Sequence, residues 1–142
     1  MLHNLLPTQQ RLYRMKMKNV PNPNCSLCQL GVPDTLSHAL IGCPSNFEVS
    51  TWLIKVLHQH LPGLLPSQIV LLDLEPLQES LQHPVVWLIS QVLSTTWTSR
   101  REKKKPQLFQ TRAKLEAGIS ILRKTSFANT RRNHEEKLTL II

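Results

Sequence analysis

Glycine is scarce in this sequence, with four in 142 residues against ten prolines. A glycine-rich loop that cradles phosphates needs several such residues close together, and none of the four stands in that pattern. Proline in excess over glycine points to short helices joined by rigid connections. Long apolar runs are missing as well. The longest apolar stretch, PVVWLISQVL, falls short of the roughly 20 residues that cross a bilayer. The opening MLHNLLPTQQRLYR has no basic start followed by an apolar stretch, so a secretory signal is not expected. The expected setting is intracellular, nuclear or cytoplasmic, with no membrane contact, where cysteines serve metal or redox chemistry before disulfides.

Chemistry-bearing patterns are also thin. There is no nucleophile with a base at a recognisable spacing and no HExxH motif, since HEEK at 134–137 lacks the second histidine. A nuclease-like set drawn from Asp73 and the REKKK run would need a strand framework that the sequence does not offer. The chain is therefore expected not to be an enzyme and to take no small-molecule substrate.

What is present is unevenly distributed charge. The net charge is +8. Residues 1–24 hold four basic side chains (Arg11, Arg14, Lys16, Lys18) and no acid, residues 25–99 hold Lys55 against five acids, and residues 100–142 hold twelve Lys/Arg against four Glu. A middle that packs and two flanks that meet something anionic fit this split. The candidate contacts to RNA or DNA are Arg100, Arg101, Lys103, Lys104, Lys105, Arg112, Lys114, Arg123 and Lys124, with Arg131 and Arg132 continuing the run. The plainer reading of RREKKK is a solvated helix end, favoured by the helix dipole, or a nuclear-import signal.

Periodicity predicts a mainly α fold. A short helix is expected over 5–17 with Pro7 in its first turn. DTLSHAL reads as a short helix capped by Asp34, and Ser45 or Asn46 reads as the cap of a helix over FEVSTWLIKVLHQHL that stops at Pro62-Gly63. QIVLLDL, among four prolines in 62–84, reads as a short extended piece. A long helix is expected from Pro84, with Val85, Ile89, Val92 and Thr96 at helical spacing, and a last helix from Pro106 through Leu115, Ile119 and Leu122. Trp52, Trp87 and Trp97 lie on these apolar stripes and read as core before base-stacking platforms. The expected organisation is an N-terminal helix, metal loop and following helix over 1–61, a proline-rich connection over 62–84, and a basic helical region over 85–142. TRRNHEEKLTLII is ambiguous.

All three cysteines fall within nineteen residues, together with a histidine, as Cys25-x2-Cys28-x9-His38-x4-Cys43. Two cysteines separated by two residues place both sulfurs on one side of a tight turn, the first half of a tetrahedral zinc site. His38 and Cys43 on a short helix would complete it. Three thiolates and one imidazole leave no position for water, so the site is expected to be structural, a CCHC zinc knuckle. A thioredoxin-type use of CxxC is disfavoured because no βαβ pattern surrounds it. His58 and His60 could replace a ligand but read as solvated helix positions.

These residues resemble the zinc-binding region that follows the reverse transcriptase domain in non-LTR (long-interspersed-element type) retrotransposon polyproteins. The resemblance rests on Leu6-Pro7-Thr8 with Leu12, Cys25 and Cys28, Asp34-Thr35 with His38, Cys43-Pro44 and the downstream Trp52. It covers residues 5–53, and the later helices match only loosely. It implies a non-catalytic tail that holds RNA or DNA near a polymerase, with a reverse transcriptase domain as a partner. The polymerase's own aspartate pair has no counterpart here, since no two aspartates are adjacent. The ligand spacing is longer than in the retroviral nucleocapsid knuckle. A zinc-stabilised protein-interaction module, or a retroelement fragment without a cellular role, remain the alternative readings.

Overall fold

The computed structural model describes residues 6–74 and 79–124, with side chains between 82 and 121 in the second segment. Arg131, Arg132 and TRRNHEEKLTLII lie outside the described residues, as do the side chains of Leu122, Arg123 and Lys124. Among the described residues the fold is helical, and its one β feature is an isolated antiparallel bridge between Asn24 and Pro33. The helices are α1 (Gln9–Arg14), α2 (Phe47–His58), α3 (Pro66–Leu71), α4 (Glu79–Arg101) and α5 (Leu108–Lys124).

Local chemistry sets the helix starts. Thr8 rather than Pro7 opens α1, its hydroxyl accepting the Arg11 N–H. The QIVL part of QIVLLDL is helical, not extended, and the chain leaves the helix at Leu72: Pro66 occupies the first position of α3, and the Gln68 side chain accepts the Leu65 N–H at 2.9 Å. Ile69 and Val70 then face inward. An apolar run of four residues, Ile69 to Leu72, fits either structure by pattern, and this start decides it. The long helix begins at Glu79, before Pro84, and the proline sits inside it.

The core lies where α2, α4 and α5 meet. Leu53, Val56 and Leu57 from α2 pack with Val85, Leu88, Ile89, Val92 and Leu93 from α4 and with Leu115 and Ile119 from α5. Trp52, Trp87 and Trp97 are partly buried against this cluster. Gly118 lets α5 approach α4 closely, since a β-carbon there would sit 3.0 Å from the Trp87 ring. A second contribution comes from outside the helices. Leu40 and Ile41, from the cysteine-rich segment, join the same core.

Scarcity of glycine shows at the helix ends. α1, α3 and α4 each finish with paired N–H bonds back into the last turn, and the residue that must turn left-handed is Lys16 (φ 55°), Leu72 (φ 58°) or Lys103 (φ 54°). At the end of α4, Lys103 N–H donates to Arg100 O and Lys104 N–H to Ser99 O, both at 2.9 Å. Glycine adopts this conformation without the β-carbon penalty of about 1–2 kcal/mol, less the backbone entropy it loses on folding. Lys103 is exposed. Lys103→Gly is therefore expected to stabilise the protein by about 0.5–1 kcal/mol in denaturant unfolding, whereas Leu115→Ala should cost about 2–5 kcal/mol.

Candidate metal centre

The first cysteine pair sits in a tight reversal. Cys25 N–H donates to Val32 O and Asp34 N–H to Pro23 O, both at 2.9 Å, closing the loop beneath the Asn24–Pro33 bridge. Gln29 (φ 55°) and Gly31 (φ 67°) take the left-handed conformations that turn the chain back. Cys25 is buried and Cys28 half-buried.

The second pair depends on an unusual turn. Thr35, not Asp34, caps the segment: its hydroxyl accepts the His38 N–H at 3.1 Å. From His38 to Gly42 the backbone widens, and Cys43 N–H donates to His38 O at 2.8 Å, five residues back. On an α-helix, side chains five apart diverge by about 140°. The wide turn and the extended backbone of Cys43 (φ −72°, ψ 130°) bring the thiol back toward the imidazole. Such turns recur at functional sites. Asn46, buried, donates its amide to Ala39 O at 2.8 Å and so supports the turn instead of capping α2. Ser45 points its hydroxyl at Cys43 Sγ, 3.0 Å away.

The four candidate ligand atoms therefore converge. One atom each from Cys25, Cys28, His38 and Cys43 lies within 4.8 Å of the others, an arrangement that could hold a metal ion. Cys25 Sγ and Cys43 Sγ are 3.8 Å apart, and Cys28 Sγ and His38 Nε2 are 3.5 Å apart. A tetrahedral ion at about 2.3 Å from sulfur and 2.0–2.1 Å from nitrogen requires edges of about 3.8 Å and 3.5 Å respectively. These two edges match that geometry, and the remaining ones lie within 4.8 Å.

Arg100, from the end of α4, reaches into this centre. Its Nη2 donates to Cys25 Sγ at 3.2 Å and to the Asp34 carboxylate. The arginine and aspartate side chains are only 8% and 5% exposed. The other Asp34 oxygen accepts the Gln9 N–H at 2.9 Å, so one carboxylate joins the start of α1, the cysteine loop and α4. Burial alone would push the Cys25 thiol up. Backbone N–H groups of Cys28 and Leu27, together with the Arg100 guanidinium, outweigh it and bring the thiol from 9.0 down to about 6. Burial raises the Cys28 thiol, and the neighbouring sulfurs add to that. Arg100 is itself held protonated, because its anionic neighbours overcome its own desolvation.

The structure separates Arg100 from the other basic candidates. It is an internal partner of Asp34 and Cys25, so its guanidinium is not part of an exposed phosphate-contacting surface. Arg101, Lys103, Lys104, Lys105, Arg112 and Lys114 are exposed, with Lys104 paired to Glu102 at 3.0 Å. His58 Nε2 lies 3.1 Å from Leu64 O, a contact that holds the turn after α2 and leaves it outside the cluster. Asp34 carried one sequence signal of its role: it is the lone acid in the first 47 residues. Among the described residues no helix is long and apolar enough to cross a membrane. No family model, curated protein or solved structure matches the chain.

In the metal-free protein, thiolate absorbance should rise first with a midpoint near pH 6, from Cys25. Because the guanidinium favours the charged sulfur, Arg100→Gln should move that midpoint upward. An unchanged titration would mean the Arg100 contact does not act on the thiol.

Proposed function

We propose that this chain is a zinc-stapled helical module that binds RNA or DNA without catalysing a reaction, of the kind that follows the reverse transcriptase domain in non-LTR retrotransposon polyproteins. The carrying observation is the convergence of Cys25, Cys28, His38 and Cys43 within 4.8 Å. Three thiolates and an imidazole are the donor set of a structural zinc site, and four protein ligands would leave no open position for substrate. Zinc's part is then to hold two chain segments together, which is why a short segment rich in proline and turns can keep one conformation.

Nucleic-acid binding is supported by charge placement. The cations at 101–105 and at Arg112 and Lys114 are exposed, while the Arg100 side chain is turned into the cysteine cluster and only 8% exposed. Exposed lysines and arginines beside a fixed scaffold suit a phosphate backbone, which supplies affinity through counterion release.

The purified protein is expected to carry one zinc per chain by elemental analysis. Cys43→Ser should lose it and speed amide exchange across residues 21–43. Binding to RNA or DNA should weaken with salt along a log–log slope of about −3 to −4, the value for four phosphates. Replacing Arg101, Lys103, Lys104 and Lys105 together by Gln should flatten the slope by about 2–3 while zinc stays bound. A protein-interaction module would show little affinity for either nucleic acid even at low salt.

A further inference from the structure

Two shallow clefts meet at Lys105. One, of about 380 Å³, lies between the end of α4 and the start of α5, where Lys104, Lys105, Lys114, Gln107 and Gln110 line it with Glu102. The other, of about 250 Å³, lies against the cysteine loop and is lined by Leu27, Cys28, Leu30, Pro44, Ser45 and Lys105. The first is polar and cationic, its single carboxylate already paired with Lys104. The second offers apolar surface: Leu30 is 63% exposed although its loop is closed by backbone hydrogen bonds at its base.

We propose that the two clefts form one site for single-stranded nucleic acid, with backbone phosphates over the lysine cleft and one unstacked base against Leu27, Leu30 and Pro44. This deepens the nucleic-acid reading above and rests on it. Charge complementarity selects the occupant of the first cleft, since three lysines and two carboxamides face it and can donate to phosphate oxygens. Continuity selects the occupant of the second. A nucleotide carries a flat ring with apolar faces one sugar away from its phosphate, and Lys105, which lines both clefts, stands between the two positions. In a duplex the bases are stacked and paired inside, so the apolar cleft would stay empty; an unpaired base can be splayed into it. A polyglutamate peptide fills the lysine cleft equally well but brings no ring to the apolar one.

The test uses the zinc-loaded full chain and fluorescence anisotropy with twelve-nucleotide oligo(U), twelve-nucleotide oligo(dT), a twelve-base-pair DNA duplex and a polyglutamate peptide. Single strands should bind at least about 3-fold tighter than the duplex and the peptide, and the oligo(U) and oligo(dT) arms report which sugar is preferred. Leu30→Ala should weaken single-strand binding by about 3- to 10-fold, at or below the low end of the roughly 5- to 150-fold that losing an aromatic stacking partner costs, and leave the salt slope and duplex binding unchanged. Lys104→Gln with Lys114→Gln should reduce the slope by about 1–2. Lys105→Gln should do both in part, and Lys55→Gln on α2 neither. Zinc content and circular dichroism confirm that each variant is folded. Equal binding of strand and duplex, or wild-type behaviour of both the Leu30 and Lys105 variants, overturns the two-cleft site while the nucleic-acid reading stands. Peptide binding as tight as single-strand binding overturns it too. No binding to any nucleic acid overturns both.

Discussion

The wide turn from His38 to Cys43 is the constraint on which the rest of the molecule depends. It performs two incompatible-looking tasks with six residues. Its outer edge must present His38 and Cys43 to the same point as Cys25 and Cys28. Its inner face must bury Ala39, Leu40 and Ile41, two of which belong to the core built by α2, α4 and α5. An ordinary helical turn would satisfy the packing and separate the ligands. The five-residue hydrogen bond satisfies both, and the carbonyl of Ala39 is satisfied by the buried Asn46 amide. The cysteine segment is thus not an appendage tied to a bundle but one wall of it.

The cysteine–histidine cluster was legible in the sequence because it is local: four potential donors within nineteen residues at metal-binding spacing need no tertiary information. The helical character of α2, α4 and α5 was legible for the same reason, since their apolar stripes run over several turns. Other features were decided by partners far along the chain. Asp34 reads as a helix cap until Arg100, 66 residues later, is seen to occupy its carboxylate. Arg100 in turn reads as one member of a basic run, and nothing in RREKKK distinguishes its first residue from its neighbours. The helical α3 was misread because its pattern is short and its start relies on a back-bond from Gln68 rather than on an apolar period. The left-handed residues at Lys16, Leu72 and Lys103 carry no glycine signal at all.

Electrostatics explains why arginine suits position 100. Two anionic partners, a thiol with its ionisation favoured and a carboxylate, lie on the same guanidinium nitrogen, and both are buried. A planar, weakly hydrated and permanently charged fork can serve several acceptors at low desolvation cost, which a compact ammonium does less well. With a divalent ion and three thiolates the centre would hold one excess negative charge, and Arg100 stands where it offsets that charge. Leaving either side of such a buried pair alone is costly, so the metal centre and the end of α4 are energetically joined.

That junction reaches the exposed lysines through the same residue. While the Arg100 side chain engages Cys25 and Asp34, its carbonyl accepts the Lys103 N–H that ends α4. Ser99, one residue earlier, accepts from Lys104. The loop bearing Lys103, Lys104 and Lys105 therefore leaves the helix from a turn whose anchor is tied to the cysteine loop, and Lys105 lines the same cleft as Leu27 and Leu30. A flexible basic tail would supply charge but no geometry. Here the backbone that carries the cations leaves a turn tied to the cysteine loop, so their starting points are set relative to the apolar cleft beside it.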